Sequence, residues 1–290
     1  MSNSVVYLNG EFLARSEAKL SVDDRGFFFG DGVYEVTRAV DGKLFESGRH
    51  MKRLARGLRE LRLEPTQSLD EIEALSIELL GRNDITAGEG TVYLQITRGA
   101  APRTHHFPPA GTPCTVFLSA QRFAVPHDKR ATGVSVITYP DIRWSRCDIK
   151  TVNLLAAVMA KQQAVDHGVF EAVFVRESAV TEGSHTNVFG VIDGELRTYP
   201  ASNLILGGVT RDVVLELARE LGLPVNETPF HLHHVRDLQE CFLTGTTTDV
   251  MPIVQFDGAP VGNGKPGRLT MALYEALAAR LYGAVTAGAR

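Results

Sequence analysis

The sequence predicts a two-lobed protein of the α+β or α/β class. The smaller N-terminal lobe is α+β, and the larger C-terminal lobe combines helices with a sheet rich in antiparallel strands. The length of 290 residues favours two domains. Hairpin signals recur in both halves, and a polar segment with a proline, Val125–Thr132 (VPHDKRAT), separates them. We therefore predict domains at 1–123 and 133–290, joined by a linker at 124–132.

The N-terminal lobe is predicted from hairpin turns and helical periodicity. Asn9-Gly10 and Asp41-Gly42 each separate two short runs of strand-forming residues, which is typical of two-residue hairpin turns. Apolar residues recur at helical spacing over 51–61. A capping box of Ser68 and Glu71 indicates the start of a second helix. Further strands are predicted at Thr91–Thr97 and Thr115–Phe123.

The C-terminal lobe alternates short strands with helices. One helix is predicted over Thr151–Asp166, and another runs from near Thr210 to Leu221, where Gly222 ends it. Asp193-Gly194 is typical of a hairpin turn. The remaining predicted elements are strands at Val134–Tyr139, Glu171–Val175, Asn187–Ile192, Leu196–Tyr199 and within Phe242–Val254, and a last helix at Arg268–Leu281.

The composition excludes several classes of protein. A net charge of -4 gives no reason to expect nucleic acid or an anionic membrane as a partner. The chain has no apolar run long enough to span a bilayer and no leader-like N-terminus, and its three cysteines lie far apart. None of the nine histidines has the spacing or companions of a metal site. We therefore expect a cytoplasmic protein without a metal.

Two segments are candidate anion sites. Leu206–Arg211 (LGGVTR) leads from a glycine turn into a helix, where backbone N–H groups and the helix dipole favour a phosphate. The alternative is a flexible turn followed by Thr210 as an ordinary N-cap. Thr244–Thr248 (TGTTT) interrupts an apolar strand with four hydroxyls, although threonine is also common on solvated strand faces.

A bound phosphate would also require a cation, and a guanidinium can bind two of its oxygens. The first long helix offers Arg53, Arg56 and Arg59. Composition alone does not choose between these three arginines.

Lys150 and Glu182 are candidates for chemistry at a ring cofactor. Lys150 directly precedes the predicted helix at Thr151, and the helix dipole there would disfavour its charged form, as Schiff-base chemistry requires. Glu182 lies in a turn-like segment, where a carboxylate could hold a proton on a pyridine nitrogen. Taken singly, each residue is more often a solvated surface charge.

Six segments together resemble the fold-type IV enzymes that depend on pyridoxal phosphate (PLP). They occur in the order in which that family has them, over nearly the whole chain. This family includes D-amino-acid and branched-chain aminotransferases, (R)-amine transaminases and aminodeoxychorismate lyase. The segments are Asp24–Glu35 (DRGFFFGDGVYE), His50-x-x-Arg53-Leu54, Asp148–Gln162 (DIKTVNLLAAVMAKQ), Val180–Phe189 (VTEGSHTNVF), Ile205–Val214 (ILGGVTRDVV) and Thr244–Ile253 (TGTTTDVMPI).

The resemblance implies a role for each matching residue. Lys150 matches the lysine that forms a Schiff base with the cofactor and then moves the substrate α-proton. Glu182 matches the carboxylate on the pyridine nitrogen. The other implied cofactor contacts are Arg53, Val209, Thr210 and Thr246 for the phosphate, Leu206 for the ring face, and Arg143 and Glu171 near the ring hydroxyl and the lysine.

Pro102-Arg103-Thr104-His105 resembles the loop with which D-amino-acid aminotransferases bind the substrate carboxylate. In that family the loop comes from the neighbouring subunit, and Tyr34 matches a third carboxylate contact. The resemblance therefore implies a homodimer in which Arg103 and His105 act on the neighbouring subunit's site. It also implies a ping-pong transfer from a D-amino acid, such as D-alanine, to a 2-keto acid.

Alternatives remain open at this point. Other fold-type IV enzymes share the cofactor but act on branched-chain L-amino acids, on (R)-amines, or as the lyase. A non-catalytic PLP-binding protein is a further possibility. The sequence also departs from the bacterial D-enzymes at His185, Thr186, Gly245 and Met251, which leaves the substrate side-chain preference open.

Overall fold

The computed structural model describes residues 4–287, which form two compact units. The first contains the residues up to Ala124 together with Ile149–Asn153, and the second contains Val125–Asp148 and the residues from Leu154 onward. Both units combine helices with sheets, which confirms the predicted fold class. Lys150 belongs to the first unit, whereas the predicted boundary placed it in the second domain.

The first unit is built on a six-stranded antiparallel sheet with the strand order β2-β1-β6-β5-β3-β4. Both predicted hairpins are confirmed, because β1 pairs with β2 and β3 with β4 across the predicted turns. The elements are β1 (Val5–Leu8), β2 (Glu11–Ala14), α1 (Arg25–Phe29), β3 (Gly32–Val40), β4 (Lys43–Leu44), α2 (Ser47–Leu61), α3 (Leu69–Arg82), β5 (Glu89–Thr97) and β6 (Thr115–Arg122).

The core of the first unit lies where α2 and α3 pack on the sheet. Helical periodicity places Leu54 and Leu58 of α2 on the buried side, and Leu79 and Leu80 of α3 join them. The predicted capping box begins α3: the Ser68 hydroxyl accepts from the Glu71 N–H, and the Glu71 carboxylate accepts from the Ser68 N–H. Helix α2 packs on β3, which carries Tyr34 and Glu35.

The second unit contains a nine-stranded sheet with the order β12-β11-β10-β13-β14-β7-β8-β9, in which β15 pairs with β14. Strands β9 and β10 also pair, so part of the sheet closes on itself. The elements are α4 (His127–Thr132), β7 (Val134–Pro140), α5 (Leu155–Asp166), β8 (Glu171–Arg176), β9 (Ala179–Gly183), β10 (Asn187–Ile192), β11 (Glu195–Thr198), α6 (Val209–Glu220), β12 (Val225–Asn226), a 3-10 helix (Leu232–Asp237), β13 (Glu240–Gly245), β14 (Asp249–Phe256), β15 (Ala259–Pro260) and α7 (Arg268–Ala287).

Helix α5 begins at Leu155, and the predicted start at Thr151 is wrong. Thr151 forms a β-bridge with Val33, and the Val152 N–H donates to the Gly32 carbonyl at 3.1 Å. These residues are therefore extended along the edge of β3. The helix-dipole argument for Lys150 is wrong for the same reason, because Lys150 does not lie at the start of the helix.

Two short helices were not predicted. Helix α1 is capped by the Asp24 carboxylate, which accepts from the Gly26 N–H at 2.7 Å, and ends at Gly30 with a φ of 64°. Helix α4 occupies most of the segment predicted as a linker, and its Arg130 is buried. Helices of five and six residues are too short to show an apolar period, so the sequence carried little signal for either.

Within residues 4–287, no helix has both the length and the apolar character needed to cross a bilayer. The same residues contain no cluster of three or more histidine, cysteine, aspartate or glutamate side chains arranged to hold a metal ion.

Truncation of the α3 core face is expected to destabilise the fold. Leu79 is 0% exposed, so Leu79→Ala leaves a cavity, and we expect it to lower the free energy of unfolding by about 2–5 kcal/mol. Ile77 lies two positions earlier on α3 and is 49% exposed, so Ile77→Ala is the matched control, with an expected loss below about 1 kcal/mol. Urea denaturation measures both, and equal losses would contradict this packing.

Candidate active site

Lys150 is held beside Tyr34 of β3. The Tyr34 N–H donates to the Lys150 carbonyl at 3.0 Å, and the Lys150 ammonium nitrogen lies 4.2 Å from the centre of the Tyr34 ring. The Tyr34 ring stacks on Tyr93, with 5.8 Å between ring centres. Ile149 is buried in the core of this unit. The lysine is therefore fixed at its backbone while its amine, on a half-buried side chain, lies over an aromatic ring.

Arg53, on α2, is oriented by a buried carboxylate. Its guanidinium donates to both Glu35 oxygens, at 2.9 and 2.5 Å, and His50 Nδ1 lies 3.2 Å from Glu35 Oε1. Burial opposes ionisation of Glu35, but the charge of Arg53 and the hydrogen bonds from His50 and Arg53 hold its pKa well below the ordinary value. A bidentate fork of this kind fixes the direction of the guanidinium as well as its position.

The Pro102–His105 loop lies against α1. Arg103 and His105 both contact the ring of Phe29, with centroid distances of 5.2 Å from the guanidinium carbon and 5.8 Å from the imidazole ring. Arg25 anchors the loop, because its guanidinium donates to the Thr104 carbonyl at 2.7 Å. Arg103 and His105 are exposed. The structure thus brings these two predicted residues together on one loop.

Glu182 is a buried carboxylate on β9, only 4% exposed. The sequence placed it in a turn, but it lies in a strand that pairs with Asn187 of β10. Its Oε1 accepts from Arg143 at 2.5 Å, and its Oε2 accepts from the Asn187 side chain at 3.1 Å and the Leu206 N–H at 3.0 Å. Burial raises the pKa of Glu182 to about 7, although Arg143 and the Leu206 N–H act in the opposite direction.

Arg143 is in turn fixed by Asp141. Its Nε and Nη2 donate to the two Asp141 oxygens at 2.9 and 3.0 Å, which leaves Nη1 directed at Glu182. Arg176 lies 3.3 Å from the same Asp141 carboxylate. Burial disfavours the charged form of Arg143, but the hydrogen bonds and charges of Asp141 and Glu182 raise its pKa above the ordinary value. The predicted place of Arg143 near a ring hydroxyl stays a prediction.

Asn187 connects Glu182 to the glycine turn before α6. Its side-chain amide donates to Glu182 and, at 2.9 Å, to the Leu206 carbonyl. A Cβ on Gly208 would lie 2.0 Å from the Asn187 side-chain oxygen, so only glycine fits at this position. Asn187 therefore connects the segment around Glu182 to the segment around Leu206. The sequence analysis gave Asn187 no role.

The two candidate anion segments belong to contacting elements. Helix α6 begins at Val209 with Gly208 as its N-cap and packs against β13, so the alternative that Thr210 is the N-cap is wrong. The first N–H groups of a helix have no intrahelical partners and suit an anion. On β13, Thr244 pairs with Asn187, and Thr246 lies in the turn that follows.

Glu171 lies at the centre of a cluster built on the turn after β9. Its carboxylate accepts from Ser184 at 2.6 Å and Thr186 at 3.1 Å, and it lies 2.7 Å from His185 Nδ1. Burial opposes ionisation, but His185, together with Lys161 at 3.9 Å, holds the pKa of Glu171 below its ordinary value. The role predicted for Glu171 beside the cofactor stays a prediction.

Sequence reasoning missed residues that orient the predicted ones. Glu35 and His50 lie within two of the six segments that resemble the family, but the sequence analysis gave them no role. Their nearness to Arg53 could have been suspected only from the opposite charges on neighbouring elements. Asp141 and Asn187 had no local signal, because strand pairing brings them to their partners. The polar groups suit PLP: the buried Glu182 carboxylate can accept from a protonated ring nitrogen, and the N–H groups at the start of α6 can donate to a phosphate. Thr244 Oγ1 is buried and has no hydrogen-bond partner among the described residues.

Comparisons with known proteins identify similar sequences. The profile of the family described as amino-transferase class IV matches residues 32–256. The protein named D-alanine aminotransferase of Staphylococcus aureus (strain MSSA476) is 40% identical over 93% of this chain and 95% of its own length. The D-alanine aminotransferase of Bacillus licheniformis is 40% identical over 94% of this chain and 95% of its own length.

Solved structures show the same fold. The branched-chain amino acid aminotransferase of Escherichia coli has a TM-score of 0.87 at 26% identity, covering 95% of this chain and 93% of that chain. The branched-chain aminotransferase of Thermoproteus uzoniensis with norvaline has a TM-score of 0.86 at 25% identity, covering 97% of this chain and 96% of that chain. A further branched-chain amino acid aminotransferase, solved with pyridoxamine 5'-phosphate, has a TM-score of 0.88 at 27% identity, covering 98% of this chain and 95% of that chain.

Burial of Glu182 predicts a dependence of stability on pH in the protein without ligand. The pKa rises from its ordinary value of 4.5 to about 7 on folding. Because folding then favours the protonated form, this contribution is full below pH 4.5 and is lost as the pH rises through 7. The expected loss is roughly 3 kcal/mol. We expect Glu182→Gln to abolish it.

Urea unfolding of the ligand-free wild type and Glu182→Gln across this pH range measures the effect. As the pH rises, the free energy of unfolding of Glu182→Gln should increase relative to that of the wild type. A difference that is constant with pH would show that Glu182 keeps an ordinary pKa.

Proposed function

This chain belongs to the amino-transferase class IV family and is a PLP-dependent aminotransferase, and we propose that its amino donor is a D-amino acid such as D-alanine. The acceptor is a 2-keto acid, and the two half-reactions follow a ping-pong order. The observation that carries this proposal is the Arg103–His105 loop in a chain that is 40% identical to D-alanine aminotransferases over 93% of its length. Three cysteines that are all free are consistent with a reducing compartment, so we propose the cytoplasm.

We propose a residue or group of residues for each part of the cofactor. When bound, PLP supplies an electron sink that stabilises negative charge at the substrate α-carbon. We assign Lys150 as the residue that carries the cofactor and moves the α-proton, because it matches the lysine of the family and its backbone is held by Tyr34. The phosphate contacts are assigned to Arg53, Val209, Thr210 and Thr246, and Leu206 to the ring face.

Glu182 is assigned to hold a proton on the pyridine nitrogen. Its carboxylate is buried, and Arg143 and Asn187 keep both oxygens oriented. Because burial raises the pKa of Glu182 to about 7 even beside Arg143, Glu182 needs a further cationic partner to remain fully ionised near neutral pH. A protonated ring nitrogen is such a partner. Arg143 also sets the orientation of Glu182. We keep Arg143 and Glu171 as proposed contacts near the ring hydroxyl and the lysine.

The substrate carboxylate is assigned to Arg103, His105 and Tyr34. A guanidinium binds a planar carboxylate through two parallel hydrogen bonds, which also fixes its orientation. With the carboxylate held there, one face of the α-carbon is directed at the Lys150 amine, and this determines which enantiomer reacts.

A homodimer is part of this proposal. Arg103 and His105 are exposed and lie on Phe29, so they are available to a neighbouring subunit's site. The same part of the chain exposes large apolar side chains that a second copy would cover: Phe27 is 78% exposed and Val22 is 74% exposed. We propose that each Arg103 serves the partner's Lys150.

The second candidate function is transfer from branched-chain L-amino acids, which the structural similarity to branched-chain aminotransferases favours. The two candidates share the cofactor and differ only in the substrate site.

A visible-absorbance titration of the holoenzyme separates the candidates. We expect D-alanine to convert the absorbance of bound PLP to that of pyridoxamine phosphate, and L-leucine and (R)-1-phenylethylamine to leave it unchanged. Arg103→Ala should raise the D-alanine concentration required by at least about tenfold, because a charge-assisted bidentate contact is lost. Conversion by L-leucine and not by D-alanine would overturn the D-amino-acid proposal and leave the cofactor assignment intact.

Mixing two variants, assayed at a D-alanine concentration so low that neither is active alone, tests whether Arg103 acts on the neighbouring subunit. Lys150→Ala lacks the lysine, and Arg103→Ala lacks the carboxylate contact. In random dimers formed at equal concentration, about a quarter of the sites would combine an intact Lys150 with an intact Arg103 from the other chain. We expect this fraction of wild-type D-alanine activity after subunit exchange. Activity no higher than that of the separate variants would show that Arg103 serves its own subunit.

A further inference from the structure

Arg130 is a buried arginine in the short helix α4. It is 2% exposed, although the segment that contains it is polar in sequence and was predicted as a linker. Arginine is rarely buried unless its charge and its N–H donors are matched by partners. The groups that contact the Arg130 guanidinium therefore indicate which part of the fold it stabilises.

These partners lie in one turn and the start of the strand that follows it. Arg130 Nη2 lies 2.9 Å from Asp249 Oδ2 and donates to the Thr248 carbonyl at 3.4 Å. Its Nε donates to the Val250 carbonyl at 3.3 Å. The guanidinium carbon also lies 4.2 Å from the centre of the Tyr274 ring of α7. One side chain thus ties three consecutive residues, 248–250, to two helices.

The turn itself needs such support. It is closed by the Thr248 N–H donating to the Gly245 carbonyl at 3.1 Å. Asp249 has a φ of 55°, a left-handed conformation that is unfavourable for a residue with a side chain. A residue persists in this conformation where surrounding contacts determine it. The ion pair with Arg130 is one of these contacts.

We propose that Arg130 is a positioning residue for the cofactor phosphate, because it holds the Gly245–Asp249 turn in the conformation that presents Thr246. This inference rests on the proposed function, in which Thr246 contacts the phosphate. Arg130 itself contacts Thr248, Asp249 and Val250, which follow Thr246 in the chain. It therefore acts through the turn and does not contact the cofactor.

Lysine cannot replace Arg130 in this role. A guanidinium donates to a carboxylate and two carbonyls from one rigid plane, whereas an ammonium group is a compact charge with different directions. Arg130→Lys retains the charge and most of the buried volume. It therefore tests the geometry of the contacts with the least disturbance of the fold.

The experiment compares two ligands that differ only in the phosphate. Affinities of the full-length protein for PLP and for pyridoxal are measured by equilibrium dialysis after removal of the bound cofactor. We expect Arg130→Lys to weaken PLP binding at least tenfold and to change pyridoxal binding less than twofold. Asp249→Asn removes the charge of the ion pair and should act in the same direction. It serves in place of Arg130→Lys if that variant does not fold.

Arg38 of the first unit offers a matched control. It is buried to a similar degree, lies 2.7 Å from Glu89, and has its guanidinium 5.1 Å from the Phe123 ring. Arg38→Lys should leave the ratio of PLP to pyridoxal affinity unchanged. Equal weakening of both ligands in Arg130→Lys, or no change in either, would overturn the inference.

Thr246→Ala separates failure of this inference from failure of the function on which it rests. If Thr246→Ala selectively weakens PLP and Arg130→Lys does not, the phosphate assignment stands and the role of Arg130 is wrong. If neither variant distinguishes PLP from pyridoxal, the assignment of the phosphate to this turn is wrong, and the inference falls with it.

Discussion

Burial of the Glu182 carboxylate is the constraint on which the polar interior of the second unit depends. An ionised carboxylate away from water is strongly destabilised unless charged and hydrogen-bonded groups replace the water. Here Arg143, Asn187 and the Leu206 N–H replace it, and Asp141 fixes Arg143. The loss of one partner therefore leaves a buried charge incompletely matched, and that effect exceeds the net contribution of the contact itself. The strands β9 and β10 and the loops around Arg143 and Leu206 are held together by the same requirement.

The first unit also contains a buried carboxylate, but there the surrounding groups lower its pKa, whereas burial raises that of Glu182. Glu35 is buried as an anion, and Arg53 and His50 surround it. The result is a guanidinium whose direction is set by the protein itself, as the phosphate contact proposed for Arg53 requires. Arg130 performs the corresponding task for the turn that contains Thr246. Groups fixed in advance lose little conformational freedom when a ligand binds, so more of their interaction energy is available for affinity.

Features set by neighbouring residues were predictable from the sequence, whereas features set by strand pairing were not. The hairpin at Asn9-Gly10 and the capping box at Ser68 depend on local backbone chemistry, and both were predicted correctly. Lys150 and Glu182 were candidates from their local sequence, but only the resemblance of six segments to a known family gave them specific roles. The same resemblance selected Arg53 among the three helix arginines. Asp141 and Asn187 carry no such signal, since each meets its partners through the fold. The start of α5 was misplaced because pairing with β3 overrides the helical pattern there.

The most direct test of the role of Glu182 is the ¹⁵N chemical shift of the pyridine nitrogen. Holoenzyme reconstituted with ¹⁵N-labelled PLP is measured as wild type and as Glu182→Gln, at about pH 8, where a carboxylate partner favours the protonated ring and a neutral amide does not. The account predicts a protonated nitrogen in the wild type and an unprotonated nitrogen in the variant. An unprotonated nitrogen in the wild type, or the same chemical shift in both proteins, would contradict it.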